Sequence, residues 1–336
     1  MRPFKYSRAA EVGSATRQSS DRTGAKFLAG GTNILDLMKE GVETPDELID
    51  ISNLPVTEIK KITQGINTGG ISIGGLGKNT DAANHPLVRA SYPLLAQSIL
   101  AGASAQIRNM ATNGGNLNQR TRCPYFYDVA MPCNKRAPGT GCGALEGVNR
   151  THAIFGWTES CVAVHPSDMC IALAALDAVV KVQGVAGASR SIPFSEYHRL
   201  PGTTPEIDNN LQRGEMITAI EIPPNRYSNH SYYLKVRDRA SYAFAVISVA
   251  AALDVDGSTI RKAGISLGGV AHKPWRAHEA EQYLLGKAPT EANFTKAAAL
   301  EMVAAKTLEH NKFKVELGQK AIVRALMQAT KGSGKA

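Results

Sequence analysis

Lys26-Phe27-Leu28-Ala29-Gly30-Gly31-Thr32-Asn33-Ile34 is the stretch from which the fold is read: a short apolar strand, residues 26–29, runs into a paired-glycine turn and then a helix. Ile34, Leu35, Leu37 and Met38 have the spacing of one helix face, and a second apolar strand at 47–51 completes a βαβ unit. Glycines at such a junction let a ligand approach the backbone closely, and the free amides of a helix start suit a phosphate. The GxGxxG spacing of a dinucleotide fingerprint is absent, so this turn taken alone is only a turn.

A second motif of the same kind follows a helical stretch at 92–103. Thr112-Asn113-Gly114-Gly115-Asn116 forms another amide-rich loop, and two such loops can hold one diphosphate. Further on, His165-Pro166-Ser167-Asp168 ends an expected strand at 161–164 and caps a helix through Ile171, Leu173, Ala174 and Leu176, with Asp168 read locally as the N-cap. The remainder alternates in strand fashion at Met216–Ile222, 231–237, 243–255 and 260–270. Two helices near 275–285 and 291–306 and a basic tail finish the chain, its last residues, 331–336, being disordered by composition.

All five cysteines of the 336 residues fall between positions 123 and 170, which argues against a disulfide framework spread over the fold and for clustered thiolates on a metal. Spacings of nine, eight and eighteen residues between Cys123, Cys133, Cys142 and Cys161 match no generic ferredoxin pattern, so zinc and an iron–sulfur cluster both stay open. Either Cys161 or Cys170 can complete a set of four; Cys170 sits in an apolar helix, where a free cysteine packs as a small hydrophobe. Arg108, Arg120, Arg122, Lys135, Arg136 and Arg150 crowd the same segment against Asp128 and Glu146 alone. That patch is either a shell for an anionic cluster or a solvated basic loop.

The net charge of +9 and the aromatic run from Cys123 to Tyr127 raise a nucleic-acid surface, but no recognisable nucleic-acid module surrounds them. No secretory signal and no membrane span are read, the most apolar segment being short and interrupted by Asp177. The eight histidines are scattered, and Ser104, Ser167 and Ser241 lack the setting of an activated nucleophile, so no catalytic set emerges.

The two glycine motifs, Ser167-Asp168, Met216-Ile217 and Lys235 together resemble the flavin-binding medium subunit of the xanthine dehydrogenase family of molybdenum hydroxylases, from the first residues to about 330. The resemblance implies an α+β fold: a two-subdomain FAD-binding domain of the PCMH type, vanillyl-alcohol-oxidase-like, over 1–225, then a C-terminal antiparallel sheet with helices over 228–330. It implies that both loops hold the FAD diphosphate, that Asp168 contacts the flavin's polar chain, and that Ile217 and Lys235 lie near the isoalloxazine. QRTRCPYFYD, PCNKR, GCGALEG and KVRDRASYAFA are similar to the branch formed by bacterial periplasmic aldehyde oxidoreductases, whose medium subunit adds a [4Fe-4S] cluster in an insertion, here at about 118–161. Cys123, Cys133, Cys142 and Cys161 are the ligands so implied.

In that family a large subunit carries the molybdopterin cofactor, a small subunit holds two [2Fe-2S] clusters, and the medium subunit passes electrons through FAD to an external acceptor in a heterotrimer. The expected location is the periplasm, by co-export with a signal-bearing partner, with neither nucleic acid nor membrane insertion involved. A 4-hydroxybenzoyl-CoA reductase medium subunit is the alternative within the fold. A zinc-containing nucleic-acid-binding protein is the alternative outside it.

Overall fold

A computed structural model of the chain describes residues 1–332, and its strands fall into three sheets with helices packed on them, an α+β arrangement. Near the N-terminus β1 (Lys5–Arg8), β2 (Ala25–Leu28) and β3 (Glu47–Asp50) form a parallel sheet in the order β1-β3-β2. The glycine turn and helix Ile34–Lys39 join β2 to β3, giving the βαβ unit read from the sequence. The middle strand β3 is buried throughout even though Glu47 and Asp50 are acidic. Each acid is met by donors, Ser7 Oγ on Glu47 at 2.7 Å and Arg8 Nε on Asp50 at 3.0 Å, as burial of a carboxylate requires.

The second sheet is antiparallel and consists of β4 (Ile59–Lys61), β5 (Ile71–Gly74), β6 (Val179–Gln183), β7 (Ser189–Pro193) and β8 (Met216–Ile222), in the order β4-β5-β8-β6-β7. Pairing of β5 with β8 closes a long excursion of chain that holds the second glycine motif and every cysteine. Helices Pro93–Ala101 and Asp168–Ala175 lie against this sheet, where Leu95, Ile99, Ile171 and Leu173 share one core with Ile73, Val180 and Ile220.

The third sheet, β9 (Ser231–Val236), β10 (Ile247–Asp256), β11 (Thr259–Gly268) and β12 (Trp275–Arg276), is antiparallel in the order β12-β11-β10-β9. Alternation along β10 sends Ile247, Val249, Ala251 and Leu253 into a core with Phe294, Ile322 and Leu326 of the C-terminal helices. Ala250 and Ala252 point the other way, into the core of the second sheet. Small residues are needed on that side because the helix Asp168–Ala175 approaches closely: a Cβ at Gly264 would stand 2.3 Å from the Ala175 carbonyl oxygen.

Several expectations are corrected. Helix Phe313–Thr330 occupies the place of the expected basic tail; Ala321, Ile322, Ala325, Leu326 and Ala329 form its buried stripe, and a buried Lys314 disguises the apolar period. The helix Val12–Asp21 is another element that the sequence reading does not contain. Residues 161–164 form no strand; Cys161 makes only an isolated bridge with Thr158. The second glycine motif is not an open loop, since Thr112 caps a short helix, Asn113–Leu117. β10 begins at Ile247 rather than at 243. The expected disordered tail, 331–336, lies outside the described residues from 333 onward.

The cysteine insertion has little regular structure, one short helix at Pro124–Tyr127 and an antiparallel bridge between Cys133 and Cys142. Its basic residues tie it down. Arg120 Nη1 donates to Glu43 at 2.6 Å and its Nε to Asp208 at 2.8 Å, while Lys135, 2% exposed, pairs with Asp208 and donates to the Pro205 carbonyl at 2.8 Å. Arg136 donates to the carbonyls of Tyr125 and Phe126, Arg122 pairs with Asp36, and Arg150 makes a two-pronged pair with Asp238. The basic patch is therefore mostly internal bracing, not a solvated loop.

Asp208 is the shared anion of this bracing. Burial pushes its carboxyl up, but the facing Lys135 ammonium and Arg120 guanidinium overcome that and hold it well below the usual carboxylate range. A carboxyl depressed on folding contributes stability that is present above its unfolded value of about pH 4 and is lost as pH falls toward its folded value. Asp208→Asn should cost about 3–5 kcal/mol near neutrality by leaving the buried Lys135 ammonium without its anion, while Arg120 keeps Glu43. The gap from wild type should narrow below about pH 4. Urea midpoints of both proteins across that range test this, and a gap independent of pH would assign Asp208 to packing alone.

Candidate functional site

A cleft of about 800 Å³ opens among the three sheets, the size of a site for a large organic ligand. Its wall draws on the turn after β2 (Thr32, Asn33), the start of helix Asn113–Leu117 (Gly115, Asn116), the Ser167-Asp168 turn, and Lys235 with the segment that follows β9. Local chemistry explains why these turns converge. A Cβ at Gly30 would stand 2.0 Å from the Met110 carbonyl oxygen, so the first turn packs directly on the end of helix Ala105–Met110, and Gly31 has a φ of 73°, which glycine adopts without strain.

The asparagines of the second motif are stitches. Asn113 Nδ2 donates to the Gly74 carbonyl at 3.0 Å, and its Oδ1 accepts from Asn79; Asn116 Nδ2 donates to Asn79 at 2.7 Å, while its Oδ1 accepts from Ser167 and Gln119. Thr112 Oγ1 accepts from the Gly115 N–H at 3.2 Å, and Gly114 sits against Gly75 and Ile217, where a larger residue has no room.

Ser167, not Asp168, is the N-cap of helix Asp168–Ala175, its Oγ accepting from the Cys170 N–H. The Asp168 carboxylate instead accepts from Lys235 Nζ and from Tyr233 Oη, each at 2.7 Å, both side chains of the ion pair being buried. Burial pushes the Asp168 carboxyl up, and Lys235 offsets only part of this, so it stays raised.

Of the residues singled out from the sequence, Thr32, Asn33, Gly115, Asn116, Asp168, Lys235 and Cys123 line the cleft. Phe27, Leu28, Ala29, Gly30, Gly31, Ile34, Thr112, Asn113, Gly114 and Ile217 stand outside that lining, several of them supporting it, and Lys26 is exposed near Glu43. The sequence reading missed Arg108, Arg122, His152, His165 and Arg239 as cleft residues. Their signal was the basic segment and the words around KVRDRASY, which carry no position until folding brings them together. Among the described residues Arg108 and Arg239 have no carboxylate partner and donate only to backbone carbonyls, and Asn33 Nδ2 is buried without a partner. Unneutralised guanidinium groups beside an unsatisfied amide fit a ligand with anionic, hydrogen-bonding groups.

A second, small cavity adjoins the first and is lined by Cys123, Cys133, Cys142 and Cys161, with Lys135 beside them. Thr121 and Cys123 border both cavities. Burial pushes the Cys123 thiol up to about 12 and the Cys161 thiol up to about 11, so thiolates here require a compensating cation or metal. Cys170 is fully buried in the apolar core, outside that cavity. Within single-ion range among the described residues stand His165, Cys170 and His198, whose ligand atoms lie within 4.8 Å of one another, and not the four insertion cysteines.

The Asp168 ion pair gives a test of the cleft floor. Lys235→Met should strand a buried carboxylate at a cost of about 3–5 kcal/mol. Adding Asp168→Asn to it should restore part of the loss, since no charge is then left unpaired. Denaturant midpoints of the two single variants and the double variant decide; strict additivity would remove the pair from the cleft's support.

Comparison with known proteins places this geometry. Residues 2–225 match the FAD binding domain in molybdopterin dehydrogenase, and residues 232–329 match the CO dehydrogenase flavoprotein C-terminal domain. The aldehyde oxidoreductase FAD-binding subunit PaoB of Escherichia coli K12 is 46% identical over 329 residues, covering 98% of this chain and 99% of its own. The glyceraldehyde dehydrogenase medium chain of Sulfolobus acidocaldarius is 28% identical over 84% of this chain and 82% of its own. Among solved structures, reconstituted CO dehydrogenase from Oligotropha carboxidovorans superposes with a TM-score of 0.76 at 21% identity, covering 98% of each chain, which speaks for the fold. With both halves of the chain matched and a relative 46% identical over nearly its full length, this protein belongs to the family of FAD-binding subunits of molybdopterin dehydrogenases.

Proposed function

We propose that this chain is the FAD- and iron–sulfur-containing subunit of a heterotrimeric molybdenum aldehyde oxidoreductase, relaying electrons from molybdenum and [2Fe-2S] centres on its partner subunits to an external acceptor. The observation that carries the reading is the full-length 46% identity to an aldehyde oxidoreductase FAD-binding subunit, joined to a cleft whose donors suit a diphosphate. FAD supplies the capacity to take up and hand on electrons. The chain's own residues bind and orient it: Arg108 and Arg239 offer positive charge that no carboxylate cancels, Gly115 and Asn116 line the wall with their N–H groups already bonded to Thr112, and the Asp168–Lys235 pair holds the floor.

A [4Fe-4S] cluster on Cys123, Cys133, Cys142 and Cys161 is the finer part of the proposal. Four cysteines lining one small cavity, with Lys135 beside them, supply the thiol set that such a cluster uses. Serine at any of the four positions should lose or degrade the cluster, because an alkoxide is the poorer iron ligand. Cys170→Ala should keep it at a packing cost of roughly 1 kcal/mol. Iron and zinc contents and reduced-state EPR of the five variants make the comparison; zinc without iron in the parent protein would reverse the assignment.

Aldehyde oxidation itself is assigned to a partner, because the relative that carries the reading is the FAD-binding subunit of its aldehyde oxidoreductase. The purified subunit should therefore reduce no dye with aldehyde, whereas the assembled complex should. Aldehyde-dependent dye reduction by the subunit free of its partners would contradict the relay.

A further inference from the structure

His152 lines the large cleft and reaches from it to Cys123, one of the two residues that border both cavities. Its ring belongs to the wall of the large cleft, and its Nε2 lies 3.1 Å from the Cys123 sulfur, which borders both cavities. Among the described residues no other side chain hydrogen-bonds to the sulfur of an insertion cysteine; the Cys161 sulfur accepts from a backbone N–H, that of Ala163 at 3.5 Å. Once Cys123 serves as a thiolate ligand its sulfur can only accept, so Nε2 must carry the hydrogen. Nδ1 is then a bare acceptor, buried with no partner. An unmet buried acceptor costs about 1–3 kcal/mol, a cost that needs a reason in the placement of the ring.

The placement is held from the C-terminal half of the molecule. The His152 N–H donates to the Asn149 carbonyl at 3.1 Å, and the His152 carbonyl accepts from Lys314 Nζ at 2.9 Å. Lys314 also donates to the Gly269 carbonyl at 2.8 Å, and Gly269 is itself part of the cleft wall. Helix Phe313–Thr330 thus locks His152 and a turn of the cleft into one unit.

We propose that His152 is a positioning residue coupling the flavin site to the cysteine site: Nε2–H donates to the Cys123 sulfur and stabilises the more negative, reduced form of a cluster held there. This rests on the reading of the four cysteines as cluster ligands. When one electron enters the cluster its charge becomes more negative by one unit and no bond is made or broken. A hydrogen bond to a ligand sulfur strengthens with that charge, and so raises the potential.

The test is a potentiometric titration of the assembled complex, followed by cluster EPR, for wild type, His152→Ala and His152→Gln. Alanine removes the donor, and the ratio of reduced to oxidised cluster at a fixed potential should fall about tenfold, equivalent to about 59 mV for a one-electron couple. Glutamine, whose side-chain amide can reach the place of Nε2, should recover most of that ratio. An unchanged midpoint in the alanine variant, or equal shifts in both variants, would overturn the proposal and leave the ring as filler. If alanine costs the cluster altogether, glutamine decides: a wild-type midpoint supports the proposal, and a shifted or absent cluster signal overturns it. Wild-type complex without iron in this subunit would end the cluster reading and this inference together, before any substitution is compared.

Discussion

The buried carboxylate of Asp168 is the interaction on which the arrangement depends. It lies at the start of a helix belonging to the second sheet's core and accepts from Tyr233 and Lys235 on the first strand of the third sheet. A charged group removed from water holds its partners in a narrow geometry, because any loosening exposes a charge to a medium that does not solvate it. The ammonium of Lys235 also donates to the Ala101 carbonyl, so the pair fixes three segments at the floor of the cleft. The close approach of β11 glycines to the same helix removes the space through which the sheets could slide.

The cysteine insertion is stabilised differently. Its first part has a small apolar group of Leu37, Phe126 and Cys133, its end sends Ile154 and Phe155 into the C-terminal core, and between them Arg120, Lys135, Arg136 and Arg150 satisfy carbonyls and carboxylates. The part between the two apolar groups depends on its polar partners being present. It is bound to the FAD-binding half through Glu43 and Asp208 and to the segment after β9 through Asp238. The two cavities share Thr121 and Cys123, and His152 reaches Cys123 from the side of the large cleft.

Much of the fold was legible in local sequence. The βαβ unit around the first glycine turn, the strand Met216–Ile222 and the approximate positions of the C-terminal strands follow from periodicity and turn chemistry, and their observed bounds differ by a few residues. The helix Phe313–Thr330 escaped that reading because Lys314 looks like surface and is buried, its ammonium satisfied by two distant carbonyls. The assumed strand before His165 failed for a related reason: residues 161–164 are apolar because they fill space under the insertion, not because they pair in a sheet.

For the site, the sequence by itself determined the inventory: two glycine turns, a clustered set of thiols, an aspartate at a helix start and an excess of arginine. Those are properties of residue type and short spacing, which backbone sterics and thiol chemistry constrain before folding. Only the tertiary structure decided which of them face the cleft, that Asp168 pairs with Lys235 rather than capping its helix, that most of the basic patch braces the insertion, and that His152 stands beside Cys123. Each of these joins residues about thirty to nearly ninety positions apart in the chain. Burial, which sets the strength of a charge and the pKa of a thiol, is a property of the packed interior and of no shorter stretch.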